Sequence, residues 1–182
     1  ARMIQPSIGI LTHMGEAHAE NFSSFEAKLT EKLKLFKGVQ TLVISDEYAL
    51  AANVPTFVWG EHASANLQVQ ESNAVGGKTH IQANHQQHPQ QISIPFTDAA
   101  AVENASCCWA TLLALGLSTE TIFEKMGRLQ AVEMRLELKN GIHNCSIIDD
   151  SYSCDVSSLT IALNFLKQQQ QHVKHSLILS DI

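Results

Sequence analysis

The sequence predicts an α/β protein: a parallel sheet with a small antiparallel sheet, followed by the start of a second β-α-β unit. Three observations predict it. The apolar runs Ser7-Ile8-Gly9-Ile10-Leu11 and Thr41-Leu42-Val43-Ile44-Ser45-Asp46 are the right length for buried parallel strands, and a helical stretch separates them. Residues 61–97 instead alternate polar and apolar residues around Gly76-Gly77 and Pro89, the period of half-exposed antiparallel strands with turns. A fresh strand–turn–strand–helix pattern begins near residue 135, which places the expected domain boundary between 1–134 and 135–182.

The elements follow in order. Residues 7–11 form the first strand. Residues 23–36 are helical: Ser23 and Ser24 are candidate N-caps, Glu26 stands at capping-box spacing from Ser23, and Leu29, Leu33 and Phe36 share one face. Residues 41–46 are a buried strand, 47–54 a short helix and 55–60 a third strand. Residues 98–116 form an apolar helix stopped by Gly116, and 118–129 a helix capped by Ser118. Asn140-Gly141 between two alternating runs predicts a tight hairpin. Residues 157–174 read as an amphipathic helix, with the glutamine run 168–171 at its end or in a loop, and 176–182 as a buried strand.

Composition excludes several classes. The chain has 182 residues, 45% of them apolar, enough for a sizeable core. Its net charge is −6, and no basic block is present, so neither nucleic acid nor an anionic membrane is the expected partner. No apolar run approaches the roughly 20 residues needed to span a bilayer, and no signal peptide is visible. Cys107, Cys108, Cys145 and Cys154 form no CxxC pair and read as thiols of a reducing compartment, the cytoplasm. Vicinal Cys107-Cys108 reads as small core residues of an apolar helix. His80, His85 and His88 lie among glutamines without ligand spacing and read as a solvated hairpin. The start at Ala1-Arg2 and the stop inside an apolar run suggest a piece of a longer protein.

Chemistry is expected just past the carboxyl ends of parallel strands, where open α/β sheets bind ligands. His13, Glu16 and His18 stand there after the first strand, although a histidine at such a place also serves as a hydrogen-bonded loop residue. Asp149, Asp150, Ser151 and Tyr152 follow a later strand and suit either a site or a helix-capping turn. Arg135, alone in its stretch, reads by itself as a surface charge.

These sites, with the helix at 98–116, occur in one order in a known family. The stretches Pro6–Phe36, Ile94–Gly116 and Met134–Leu163 resemble the Mur ligases, the ATP-dependent amide-forming enzymes of peptidoglycan synthesis. Each motif is weak alone; three in order at family spacing are strong. The likeness is nearest to the branch that adds D-alanyl-D-alanine to UDP-N-acetylmuramoyl-tripeptide. Wording such as Pro95-Phe96-Thr97-Asp98 is similar to a form fused to alanine racemase, which implies a pyridoxal-phosphate (PLP) domain outside this chain. The implied architecture is the second half of a central ATPase domain, then the start of a Rossmann-like C-terminal domain. No G-x-x-x-x-G-K-[ST] phosphate loop is present; in the family it lies upstream.

The resemblance also implies roles. His18, in Gly15-Glu16-Ala17-His18, matches a magnesium-binding histidine. Lys32 stands fourteen residues later, where the family carries a carbamylated lysine whose new anion supplies the oxygen that Mg2+ prefers. Carbamylation needs an uncharged amine, so Lys32 is expected to be partly buried, with Lys28, Lys34 and Lys37 solvated. Asn104 matches the residue that meets the adenine of ATP, and Arg135 one that reaches ATP from the linker. Asp150 matches the family's ribose-side aspartate, with Tyr152 in the same turn. Arg135 and Asp150 would belong to the second domain, so domain closure would assemble the site. Three departures stand out. His13 replaces an asparagine, Ala100-Ala101 replace a His-Asn pair, and Ser153-Cys154-Asp155-Val156 replace Asn-Ala-Asn-Pro. Two other readings share these residues: another superfamily ligase of the folylpolyglutamate synthase type, and a non-catalytic nucleotide-binding relative.

Overall fold

The computed structural model describes residues 5–15, 22–130, 136–152 and 156–179. The chain divides into two compact units, Ala1–Leu129 and Gln130–Ile182. The first unit is built on a six-stranded sheet in sequence order: β1 (Ile8–Ile10), β2 (Thr41–Ser45), β3 (Thr56–Gly60), β4 (Leu67–Val75), β5 (Lys78–His85) and β6 (His88–Ile94). β1 to β4 pair in parallel, and β4, β5 and β6 in antiparallel fashion, so the parallel and antiparallel parts are one continuous sheet.

Alternation along β2 explains the layers. Leu42 and Ile44 point to one face, where Leu11, Met14, Leu29, Val39 and Tyr48 join them in a buried cluster. Val43 points to the other, where it meets Trp59, Ile81, Ile92 and Ile94. The first face is covered by α1 (Phe25–Leu33) and α2 (Asp46–Ala49). The second is covered by α3 (Ala99–Ala114) and α4 (Thr119–Met126), through Ala105, Cys107, Trp109, Ala110, Ile122 and Met126. Helices on both faces of a parallel sheet bury both sides of its central strands, which is why β2 reads as a continuous apolar run.

Local chemistry sets the boundaries. The Ser24 side chain, not that of Ser23, caps α1 by accepting from the Ala27 N–H at 3.2 Å. Helix α1 then tightens into a 3-10 turn over Lys34–Phe36. The Asp98 carboxylate caps α3 by accepting from the Ala101 N–H at 2.7 Å, and Gly116 ends it at φ +78°. Gly9 makes room for Phe36: a Cβ there would lie 2.4 Å from the phenyl ring.

Several sequence expectations are corrected. The first hairpin turns at Gly76-Gly77, as expected, but the second turns at Gln86-Gln87 (φ 51° and 67°), and Pro89 lies inside β6. β6 ends the sheet among the described residues, and an edge strand tolerates a residue that donates no hydrogen bond. In the second unit, β7 (Glu137–Asn140) pairs with β8 (Ser146–Asp149) through a five-residue loop rather than a tight Asn-Gly turn. Its left-handed residues are His143 and Asn144, while the Gly141 N–H donates to the Cys145 carbonyl at 2.8 Å. Helix α5 spans Val156–Gln168 and ends at the glutamine run. Residues 176–179, expected to be a buried strand, form no strand and are exposed; no described strand pairs with them. Cys107 is buried as expected, but Cys108 is exposed. No helix among the described residues is long and apolar enough to cross a membrane.

Candidate functional site

The carboxyl ends of β1, β2 and β3 open on one edge of the sheet. After β1 the chain runs through Leu11–Gly15, and Leu11 is still tied to the sheet by its N–H to the Val43 carbonyl at 2.9 Å. After β2, Asp46 turns its carboxylate over the end of β3 and accepts from the His62 N–H at 2.8 Å. Gly60 has φ +147°, and a Cβ on it would lie 2.2 Å from that carboxylate, so this approach requires glycine.

The loop after β1 is held by three neighbouring helices. From α1, the Lys28 ammonium donates to the Gly15 carbonyl at 2.7 Å. From α2, the Tyr48 phenol meets the Met14 backbone, and burial, first among the causes, pushes that phenol up to about 12. From α3, the Glu103 carboxylate accepts from His13 Nδ1 at 2.9 Å. A polar loop at the mouth of an α/β sheet is thereby fixed by backbone and side-chain bonds rather than by apolar burial alone.

The expected burial of the two lysines is reversed. Lys28 is only 5% exposed, whereas Lys32 is exposed. Both lie on one side of the helix, four residues apart, but the first turn of α1 faces the loop and the next has passed it. Leu29 is buried beside Lys28, so the stem of Lys28 packs on the core while its ammonium reaches the loop carbonyl. Lys34 is exposed and pairs with Glu31, and Lys37 is exposed.

Asn104 sits on α3 directly after Glu103 and is exposed. His18 and Arg135 lie outside the described residues. Asp150 and Tyr152 belong to the second unit. There Asp150 accepts from the Leu136 N–H at 3.0 Å, and Tyr152 is 65% exposed. Asp149 is the more engaged carboxylate of the pair. It accepts from Lys139 at 2.7 Å and from the Ser151 hydroxyl at 2.7 Å. The Lys139 and Ser151 bonds hold Asp149 below the usual carboxylate range, and Lys139 is raised chiefly by Asp149. Asp149, Asp150, Ser151 and Tyr152 line a cavity of about 780 Å³ together with Leu138, Ile148, Leu159 and Leu163. Burial pushes the Cys107 thiol up to about 11, which keeps it protonated and unreactive at neutral pH.

Lys28, Tyr48 and Glu103 were not singled out from sequence. Glu103 had a signal: it stands next to Asn104, on the face that meets the loop. Lys28 had none, because a lysine beside an apolar stripe reads as solvated.

Residues 1–112 match the Mur ligase middle domain. Across its whole length the chain is 25% identical to the UDP-N-acetylmuramoyl-tripeptide–D-alanyl-D-alanine ligase of Bacillus subtilis, and it spans 41% of that enzyme. Among solved structures, MurF from Acinetobacter baumannii superposes at a TM-score of 0.80 with 23% identity, over 93% of this chain and 39% of that one. The MurF ligase of Thermotoga maritima, solved in complex with ADP, superposes at 0.73 with 16% identity, over 91% of this chain and 40% of that one. At such identities the superpositions establish the fold.

Proposed function

We propose an ATP-dependent, amide-forming ligase on one premise: the chain belongs to the Mur ligase family. The longer protein carrying it adds D-alanyl-D-alanine to UDP-N-acetylmuramoyl-tripeptide. The observation that carries this reading is the match of the whole chain to a ligase of that name, at 41% of the ligase's length. ATP would phosphorylate the tripeptide carboxylate to an acyl phosphate. The amine of D-alanyl-D-alanine would then attack the acyl carbon, and phosphate would leave with the electron pair of the broken C–O bond. Such chemistry runs on positioning and charge neutralisation.

His18 and a carbamate on Lys32 are the groups that would hold Mg2+. Lys32 is exposed, so the burial expected to favour an uncharged amine is absent, and the modification rests on the family resemblance; the oxygens of a carbamate would suit a hard cation. Bound there, the ion would offset charge on the transferring phosphoryl group. Asn104, exposed on α3, has an amide able to donate to and accept from an adenine edge. Arg135, Asp150 and Tyr152 would serve the nucleotide from residues 135–182, the part we read as the beginning of a C-terminal domain. A fused racemase using PLP belongs to the same reading and lies outside this chain.

The test is a ligation assay on the longer protein with Mg-ATP and both substrates. Formation of the pentapeptide product with matching ADP release is expected. ADP release and amide formation with a glutamate acceptor, but not with D-alanyl-D-alanine, would overturn the substrate assignment.

A further inference from the structure

Three side chains fix the loop after β1, and one of them does something the other two do not. Lys28 and Tyr48 hold Gly15 and Met14 from the side of α1 and α2. His13 and Glu103 reach across ninety residues of sequence to join the loop to α3. Both partners of the bridging pair keep solvent access, with side chains 58% and 38% exposed. Exposed pairs add little to stability, so the value of this one is geometric.

Helix geometry says what is being fixed. Successive residues of an α-helix point about 100° apart, and the buried Ala105, Ser106 and Cys107 set the rotation of this turn, so a bond at Glu103 places the loop beside an Asn104 of fixed direction. At its other end the same bond sets His13, in the loop that leads towards His18. The family resemblance places an asparagine at position 13, whose side chain is shorter.

We propose that the His13–Glu103 contact is a strut coupling the loop after β1 to the helix that presents Asn104. His13 and Glu103 are thus positioning residues for nucleotide binding. This rests on the reading above that Asn104 meets adenine and that the loop leads to the phosphate end of the site. The strut holds the described part of the loop, up to Gly15, beside the turn of α3 that carries Asn104, so ordering one favours the order of the other.

The test is ADP affinity, by calorimetry with Mg2+ present, in the longer protein carrying this chain. His13→Ala and Glu103→Ala should each weaken ADP binding about 5- to 10-fold, and the double variant should be no weaker than either single one. Glu103→Gln, which keeps an acceptor for His13, should bind within about 2-fold of wild type. The swapped pair, His13→Glu with Glu103→His, should recover to within about 3-fold. Melting temperatures should stay unchanged throughout, which a purely structural role at this surface would also give, so affinity is the deciding readout. Single variants that bind as wild type, or a double variant whose loss is the product of the single losses, would overturn the strut. Wild-type protein that binds ADP but does not ligate D-alanyl-D-alanine would defeat the proposed function and leave the strut standing. Wild-type protein that binds no ADP would defeat both.

Discussion

The two units use the same kinds of sequence and reach different ends. In residues 1–129, short apolar runs become strands whose two faces are both covered, and Leu42, Ile44, Leu67, Ile81 and Trp109 are almost wholly buried. In residues 130–182, comparable runs give a two-stranded sheet and one helix, and none of the described residues is buried. Ile178 there is 96% exposed and Ile142 79%. Apolar periodicity tells which residues gain by burial. It does not tell whether a covering element is at hand, and among the described residues of 130–182 a two-stranded sheet and one helix leave them uncovered.

The largest way to break this comparison is to delete one large side chain from each unit. Trp109→Ala should cost about 3–5 kcal/mol, because it empties a filled site in the larger core. Leu138→Ala, at a position already 43% exposed, should cost less than about 1 kcal/mol. Denaturant titration of both variants checks this, and equal losses would show that the second unit has a core after all. Somewhat smaller is Gly60→Ala, expected to cost about 2–4 kcal/mol. It places a Cβ against the Asp46 carboxylate and a side chain at φ +147°. Suppression of that loss by Asp46→Ala would confirm the close approach as its cause.

The smallest effect concerns pH in the second unit, where charge rather than burial does the work. Asp149 is lowered by its bonds to Lys139 and Ser151, so its folded value lies below its unfolded one. Its contribution is therefore present above the ordinary aspartate range and is lost as pH falls through the lowered folded value. Lys139 is raised, so its contribution is present below the ordinary lysine range and is lost only as pH rises through the raised value. A neutral-pH plateau with loss on both sides is expected for the β7–β8 pair, followed by NMR shifts of Ile147 and Ile148. Lys139→Met should remove most of the pH dependence, and a profile unchanged by that substitution would contradict the assignment.

The contrast also explains what was legible in sequence. Helix α3 was readable because its apolar run is long and Gly116 relieves its end; Asp98, read as part of the helix, instead caps its start. The Gln86-Gln87 turn was not readable, since left-handed turns advertise themselves through glycine or asparagine, and here cross-strand register imposes the conformation. Asn140-Gly141 carried the opposite error, a strong local signal that the Gly141–Cys145 bond overrides. That polar loops would follow the ends of β1 and β2 was legible, because the apolar runs mark where those strands stop. The choice between Lys28 and Lys32 for burial was not, because four residues of helix spacing place both on one side, and only the length of the loop separates them.

That pair gives the most direct measurement of the whole account. In the longer protein, Lys28→Met and Lys32→Met should be compared for melting temperature and for Mg-ATP-dependent ligation. Lys28→Met strips the loop carbonyl of its donor and should lower the melting temperature while ligation stays within about 10-fold of wild type. Lys32→Met should leave melting unchanged and lose on the order of 100-fold or more in ligation, as expected for a ligand of the ion. The reverse result, with Lys32→Met active and Lys28→Met folded but inactive, would contradict the account and move the chemistry one turn back along the helix.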